Sequence, residues 1–419
     1  MTVVRMSRTA ATFILLLAWT ACGDYYRPVA NPLIPSLPNP SSLHLVVVIS
    51  GNGSNNPGTS TSIDVSGDSA LSRSTVGLMP AHAGLGAGNT RVYVANTLDD
   101  TVSGFSPAGA VPVSTISMPS GSGPSFVNTT EIATVYVANT GNGTVSAIST
   151  VSNVITGTIP VGISPVAMAE LPNGQKLYVA NRGHNGSGGS VTSINTIDLS
   201  VNPPIAGSAW VSPVWVSARS DSQRVYVLDT GSGQVSAIDP ATDAVVGSAA
   251  VGPGADFMFY DSKRNRLYVT NPATNQLISL EASSDALLAS TVPVAGAISV
   301  TALADGTRVY VAGASLNGGS VTSRVTVVSA AGLSVKTTIP LTTVPVACAT
   351  TTWSELSIAA AADSSRVYVG NCDAGNTAII QTLGDRLLTA MPAPLSARPA
   401  ATPGGIPPPQ NPVFVLAGP

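Results

Sequence analysis

The residues able to do chemistry are few in this chain. Of its 419 residues, 21 are acidic, 18 are basic and 3 are histidines. His44, His82 and His184 stand far apart, and no H-x-H, H-E-x-x-H or C-x-x-C spacing occurs, so no zinc or copper ligand set is legible. Isolated histidines of this kind read as surface or capping residues. There is no G-x-S-x-G elbow to expose a serine nucleophile. The clusters Gly51-Asn52-Gly53 and Gly186-Ser187-Gly188-Gly189 lack the following helix and lysine of a phosphate loop, and read as flexible loops. Asp221, Asp305 and Asp363 each stand five residues before a recurring tyrosine, where a turn needs a side chain that bonds its own backbone. The remaining acids form no set that a metal-dependent hydrolase would require. The expectation is a chain without metal or cofactor.

Charged residues make up only 9% of the chain, against about 25% in an ordinary soluble domain. Gly (40) and Pro (32) are abundant instead. Long amphipathic helices and coiled coils need abundant Glu, Lys and Arg, so they are excluded. A net charge of −3 offers no basic face, which excludes nucleic acid as a partner. An apolar content of 44% supports a buried core and argues against full disorder.

Arg5 and Arg8 precede an apolar run from Ala10 to Trp19, so residues 1–21 read as a secretory signal peptide. The run is shorter than the roughly 20 apolar residues of a spanning helix. It ends in Ala18-Trp19-Thr20-Ala21-Cys22, which resembles a bacterial lipoprotein signal. That resemblance implies Cys22 as the lipid attachment site, with the membrane contacted through the N-terminal lipid alone. Trp19 departs from the pattern, where an aliphatic residue is usual. Ordinary cleavage is the alternative, although Trp19 also breaks its small-x-small rule. Residues 22–43 carry Pro28, Pro32, Pro35, Pro38 and Pro40. At about 3.1 Å per residue such a tether would stand a domain some 60 Å off a membrane.

From there the chain repeats. RVYVAN at 91–96 recurs as TVYVAN at 134–139, KLYVAN at 176–181, RVYVLD at 224–229, RLYVTN at 266–271, RVYVAG at 308–313 and RVYVGN at 366–371. Arg91, Lys176, Arg224, Arg266, Arg308 and Arg366 each stand two residues before their tyrosine. Each unit reads as four short β-branched strands bounded by Gly, Pro and Asn. A period of about 42 with four strands is one propeller blade. Packing blades face to face around an axis buries both faces of each sheet.

The motif Tyr268-Val269-Thr270-Asn271 and its copies make the chain resemble the YVTN β-propeller repeat family over roughly residues 44–385. The fold class expected is all-β, a propeller of four-stranded antiparallel blades. Seven tyrosine-centred units follow a worn eighth at 45–78 that lacks a first strand. A strand-like segment at 412–417, after the Pro-rich stretch 390–411, would supply it and close the ring. The count favours eight blades; seven is the commoner number in the family. The domain expected therefore spans 44–419.

Cys348 and Cys372 are an even pair in an exported chain, which points to a disulfide. Register argues the other way. If Met168 lies opposite Tyr178, and Cys348 aligns with Met168, regular pairing leaves the two cysteines about 13 Å apart. The last unit is some ten residues longer than the rest, so an irregularity there would bring them together. Both readings stay open.

Three units, at 50–60, 182–189 and 313–322, have expanded loops between second and third strands, which fall on one face of the ring. Arg182 and His184 are the candidate polar participants of a binding face there. Trp210 and Trp215 flank a first strand and read as packing between blades. The function expected is a non-catalytic, lipid-anchored binding or scaffold module at the cell envelope, with a protein or glycan partner. The alternatives are a propeller enzyme, lactonase-like or a dehydrogenase subunit, and a structural surface-coat component.

Overall fold

The computed structural model describes residues 45–86, 90–109, 114–129, 134–205, 209–283, 285–348, 356–392 and 411–418. Cys22, the export segment, the tether and residues 393–410 lie outside the described residues.

The chain is an eight-bladed all-β propeller. Blades 2 to 8 cover residues 80–117, 124–160, 165–195, 213–250, 257–293, 297–345 and 356–392. Blade 1 combines residues 45–78 with the strand Asn411–Ala417, which pairs antiparallel with Leu45–Gly51. The C-terminal strand thus takes the first position of blade 1. It packs against the first strands of blades 8 and 2, and the ring closes.

Burial explains the strand order. Second strands such as Thr134–Asn139 are buried almost end to end, because both faces meet a neighbouring blade. Fourth strands such as Val154–Pro160 alternate exposed and half-buried residues, as an outer edge should. Blade 4 departs from four strands. Its fourth position is reduced to a bridge between Ile194 and Val201. Pro203 and Pro204 follow at once and have no N–H to continue the ladder.

Six of the seven repeat tyrosines are among the largest fully buried side chains, and the hydroxyls of Tyr93, Tyr178, Tyr226, Tyr310 and Tyr368 bond the next blade. Asp385 of blade 8 accepts from Arg308 (2.5 Å) and from the Tyr310 hydroxyl (2.5 Å) of blade 7. Asp68 of blade 1 accepts from Arg366 (3.1 Å) and Tyr368 (3.0 Å) of blade 8. Asn153 accepts from Arg91 (3.1 Å) and Tyr93 (3.3 Å), and Asp243 from Lys176 (2.8 Å) and Tyr178. All four acceptors sit at left-handed corners of third-to-fourth strand turns, with φ of 48° to 53°. Asp and Asn adopt that region more readily than other non-glycine residues. In these four seams the basic residue two before the tyrosine is therefore half of an interblade latch.

Two sequence expectations are corrected. Met168 pairs with Val179, and Tyr178 with Ala169, because a bulge follows Pro165. Cys348 is not in a first strand either: that strand is Leu356–Ala360, and Cys348 lies in the segment leading to it. From there it bonds Cys372, one residue beyond the second strand Arg366–Asn371, with Cα atoms 5.9 Å apart. The 13 Å separation followed from placing Cys348 in the strand. Asp373 Oδ1 accepts from the backbone N–H of Ala347 (2.9 Å) and Cys348 (2.8 Å) and holds this segment over the strand end.

Substituting Asp385→Ala removes the carboxylate paired with Arg308, which keeps only the Thr382 carbonyl, and leaves the Tyr310 hydroxyl without its acceptor at an interblade seam. The expected loss is about 1.5–3 kcal/mol, read as a lowered melting temperature in calorimetry. Removing residues 411–418 opens the ring and should lower it further. A melting temperature unmoved by both changes would show that neither latch nor closure supports the ring.

Candidate functional site

First strands begin, and second strands end, on one face of the ring. All three expanded loops lie there. The one at 313–322 is not a loop. The strands Arg308–Asn317, Ser320–Ser329 and Ser334–Pro345 run on past the blade as a three-stranded finger, with Gly318 and Gly319 at its tip (φ 56° and 82°). That turn needs left-handed residues at both central positions, which glycine supplies without strain. In blade 1, Asn52 is buried and donates to the Pro57 carbonyl, 2.5 Å away.

Arg182 follows the second strand Lys176–Asn181 of blade 4, its backbone N–H held by the Ser164 carbonyl at 2.9 Å. His184 closes a tight turn with Ser187 around Asn185 and Gly186 (φ 51° and 72°). Both side chains are exposed. The two are not equivalent. Arg182 acts on Asp256, which immediately precedes the first strand of blade 6. Burial pushes the Asp256 carboxyl up to about 6, and the Arg182 charge draws it back down. The His184 ring makes no hydrogen bond among the described residues.

The centre of the ring holds a group of side chains that sequence reasoning left unconnected. His82 stacks on Phe126 (ring centroids 3.9 Å) and also meets Phe414 (4.4 Å). Phe126 meets Trp215 edge-on (5.8 Å), and Trp215 meets Phe257 (4.5 Å). Phe126 and Trp215 belong to blades 3 and 5. They touch because blade 4 offers only Ala167 at the same ladder position. An aromatic arc thus runs along the inner strands from blade 1 to blade 6. The same ladder position in blades 7 and 8 holds Ser299 and Ser357.

His82 is consequently no surface or capping residue. The Val127 backbone N–H donates to its Nδ1 at 3.3 Å. Burial pushes its pKa down to about 3, so the ring is neutral and its proton sits on Nε2. Trp210 and Trp215 pack against the cluster shared by blades 3 to 5, and Trp215 also against that of blades 5 and 6, so both are packing between blades. The Trp210 indole N–H is buried and has no acceptor among the described residues. The only cue in the sequence was an aromatic residue two positions after a strand-opening proline (Pro124 to Phe126, Pro213 to Trp215), with His82 in the same place after Pro80.

On the opposite face, Glu170 ends the first strand of blade 4. Burial pushes its carboxyl up to about 7, and its charge helps raise Tyr136 of blade 3 to about 12. Among the described residues no group of three or more His, Cys, Asp or Glu is arranged to hold a metal.

No protein-family model matches the chain, and no curated protein matches it. Solved structures do. The dihydro-heme d1 dehydrogenase NirN, in complex with DHE, is similar at a TM-score of 0.65 and 12% identity, over 86% of this chain and 76% of that one. Apo AztD from Citrobacter koseri is similar at 0.61 and 8% identity, over 90% and 99%. A functionally unknown protein from Desulfotomaculum acetoxidans is similar at 0.51 and 11%, over 90% and 99%. Likeness at this identity shows the fold and nothing finer.

Glu170 and Asp256 both carry raised pKa values, so the folded chain holds more protons than the unfolded one between about pH 4 and 7. Stability should be greatest at the low end of that window and fall as pH rises through it. Glu170→Gln and Asp256→Asn should each flatten the profile of melting temperature against pH. Two variants as steep as the parent would count against the assignment.

Proposed function

We propose that this chain is a binding module of the cell envelope, exported and held by a lipid on Cys22 through its Pro-rich tether. The face carrying Arg182, His184 and the finger would engage a protein or glycan. The observation that carries the reading is the convergence on one face of the aromatic cluster on the inner strands, the exposed Arg182 and the projecting finger. Aromatic rings bury large area at small entropic cost, and a few fixed polar groups beside them set orientation. The resemblance of the repeats to the YVTN family, whose members it implies to be surface or periplasmic proteins, supports the same placement.

A second reading, a propeller enzyme, draws on a specific observation. Asp256 and Glu170 titrate near neutrality, where a general acid or base works best. One of the similar structures is a dehydrogenase.

Photo-crosslinking on intact cells separates binding from its absence. A photoreactive residue at Ser187 or Gly318 should give discrete adducts, and one at Val151, in a turn on the opposite face, should not. Adducts at all three positions alike, or at none, would remove the binding-face reading. In the same cells radiolabelled fatty acid should enter the parent chain and not Cys22→Ala.

A further inference from the structure

On the face opposite the finger, the third-to-fourth strand turns present apolar side chains to their surroundings. The left-handed corners Asp68, Asn153, Leu199, Asp243, Leu333 and Asp385 fix these turns, with φ of 48° to 61°. The residue two before each corner is the tip: Ser66, Val151, Ile197, Ala241, Ala331 or Leu383. All six tips are exposed, and all but Ser66 are apolar. The latch contributes to this pattern. Asn153, Asp243 and Asp385 turn inward onto a tyrosine and a basic residue, so the polar group of the turn is spent within the ring. The exposed tip is then the side chain that the turn offers outward.

Size singles out four positions. Val151 is 82% exposed, Ile197 84%, Leu383 81%, and Leu288, just past the corner of blade 6, 65%. Among the described residues the next large apolar side chain is Ile163 at 55%, on the finger's face. The four most exposed therefore all lie on the opposite face. They belong to blades 3, 4, 6 and 8, and blades 4 and 8 stand across the ring from each other. A protein pocket takes apolar side chains that are neighbours, whereas these are spread around a ring. A flat, fluid, apolar surface can receive all four at once. Asp198, beside Ile197, is the one carboxylate at a large tip, and it already accepts from the Ser200 N–H (3.0 Å) and hydroxyl (2.7 Å). The first-to-second strand turns of the same face, such as Asn173-Gly174 and Asp305-Gly306, are polar and suit a headgroup layer.

The tether joins the ring on this face too. Second strands begin here, and Leu45–Gly51 is the second strand of blade 1. The Leu45 carbonyl accepts from the Gly418 N–H at 2.8 Å, which fixes the point where the tether meets the ring. We propose that this face docks on the lipid bilayer, with Val151, Ile197, Leu288 and Leu383 reaching just below the headgroups. The inference rests on the membrane attachment proposed for Cys22. A tether with a full reach of about 60 Å keeps the ring close to the surface, so that even weak docking is populated. Docking fixes orientation: the finger and Arg182 then point away from the membrane, towards a partner.

The test holds the whole mature chain on phosphatidylcholine vesicles through an oligohistidine tag in place of Cys22 and a nickel-chelating lipid. An environment-sensitive dye is placed on Ala331→Cys, at a tip, or on Gly318→Cys, on the finger. Spin-labelled phosphatidylcholine should quench the dye at 331 and leave the dye at 318 bright. Combining Val151→Ser, Ile197→Ser and Leu383→Ser removes three apolar contacts and should weaken docking about tenfold or more, read as lost quenching at 331. These are exposed positions, so the melting temperature of the triple variant should match that of the parent. No quenching at 331, equal quenching at both positions, or quenching that the triple variant retains overturns the proposal. The tag supplies the attachment whether or not Cys22 is acylated. Failure here therefore removes the docking, whereas failure of fatty acid to enter the chain removes the anchor.

Discussion

In four of the eight seams a tyrosine hydroxyl and the basic side chain two residues before it meet one carboxylate or amide of the next blade, and that contact fixes how those blades stand. Each sheet has two apolar faces and is unstable until both are covered. Hydrophobic burial alone would let neighbouring blades slide, since Val, Ile and Ala surfaces carry no directional preference. The latch adds direction. A planar guanidinium and a phenol can reach one carboxylate only when the two blades stand at the right angle and height. The acceptor corner is itself fixed, because its left-handed backbone belongs to a tight turn.

Where the latch is altered, buried titratable groups collect. Blade 3 carries Thr134 in the basic position, its neighbour blade 4 has a reduced outer edge, and Glu170 is buried beside Tyr136 between them. Between blades 6 and 7 the corner is Leu333, and Asp261 and Tyr268 are left with unpaired buried atoms. A buried polar group without a partner costs free energy. The unpaired Asp261 oxygen and Tyr268 hydroxyl are therefore a net cost at the seam between blades 6 and 7. The face with the finger is built differently, from aromatic side chains that fill the channel because Ala167 leaves room between Phe126 and Trp215.

Much of this was legible from residue order. The tyrosine spacing disclosed the blades, and the strand at the C-terminus was recognisable as the partner missing from blade 1. The Asp residues before each tyrosine were rightly assigned to turns: Asp221, Asp305 and Asp363 each accept from the backbone two residues on. Other features were hidden for physical reasons. The finger looked like a loop because Gly318-Gly319 follows a stretch without strong β-branching, and cross-strand pairing supplies what local propensity lacks. The disulfide depended on a segment before the first strand of blade 8 whose length could be counted but whose path could not.

By itself, the sequence determined the all-β class, the blade period, the closing strand and the residue types at each turn, because a repeated pattern of two-residue alternation and turn-forming residues has one economical packing. Only the tertiary structure decided which acid meets which base, that His82 is a neutral member of an aromatic arc, and which seams are incomplete. Those are contacts between residues roughly one blade or more apart in the chain. No local propensity encodes them, since they arise only when eight sheets are brought round one axis.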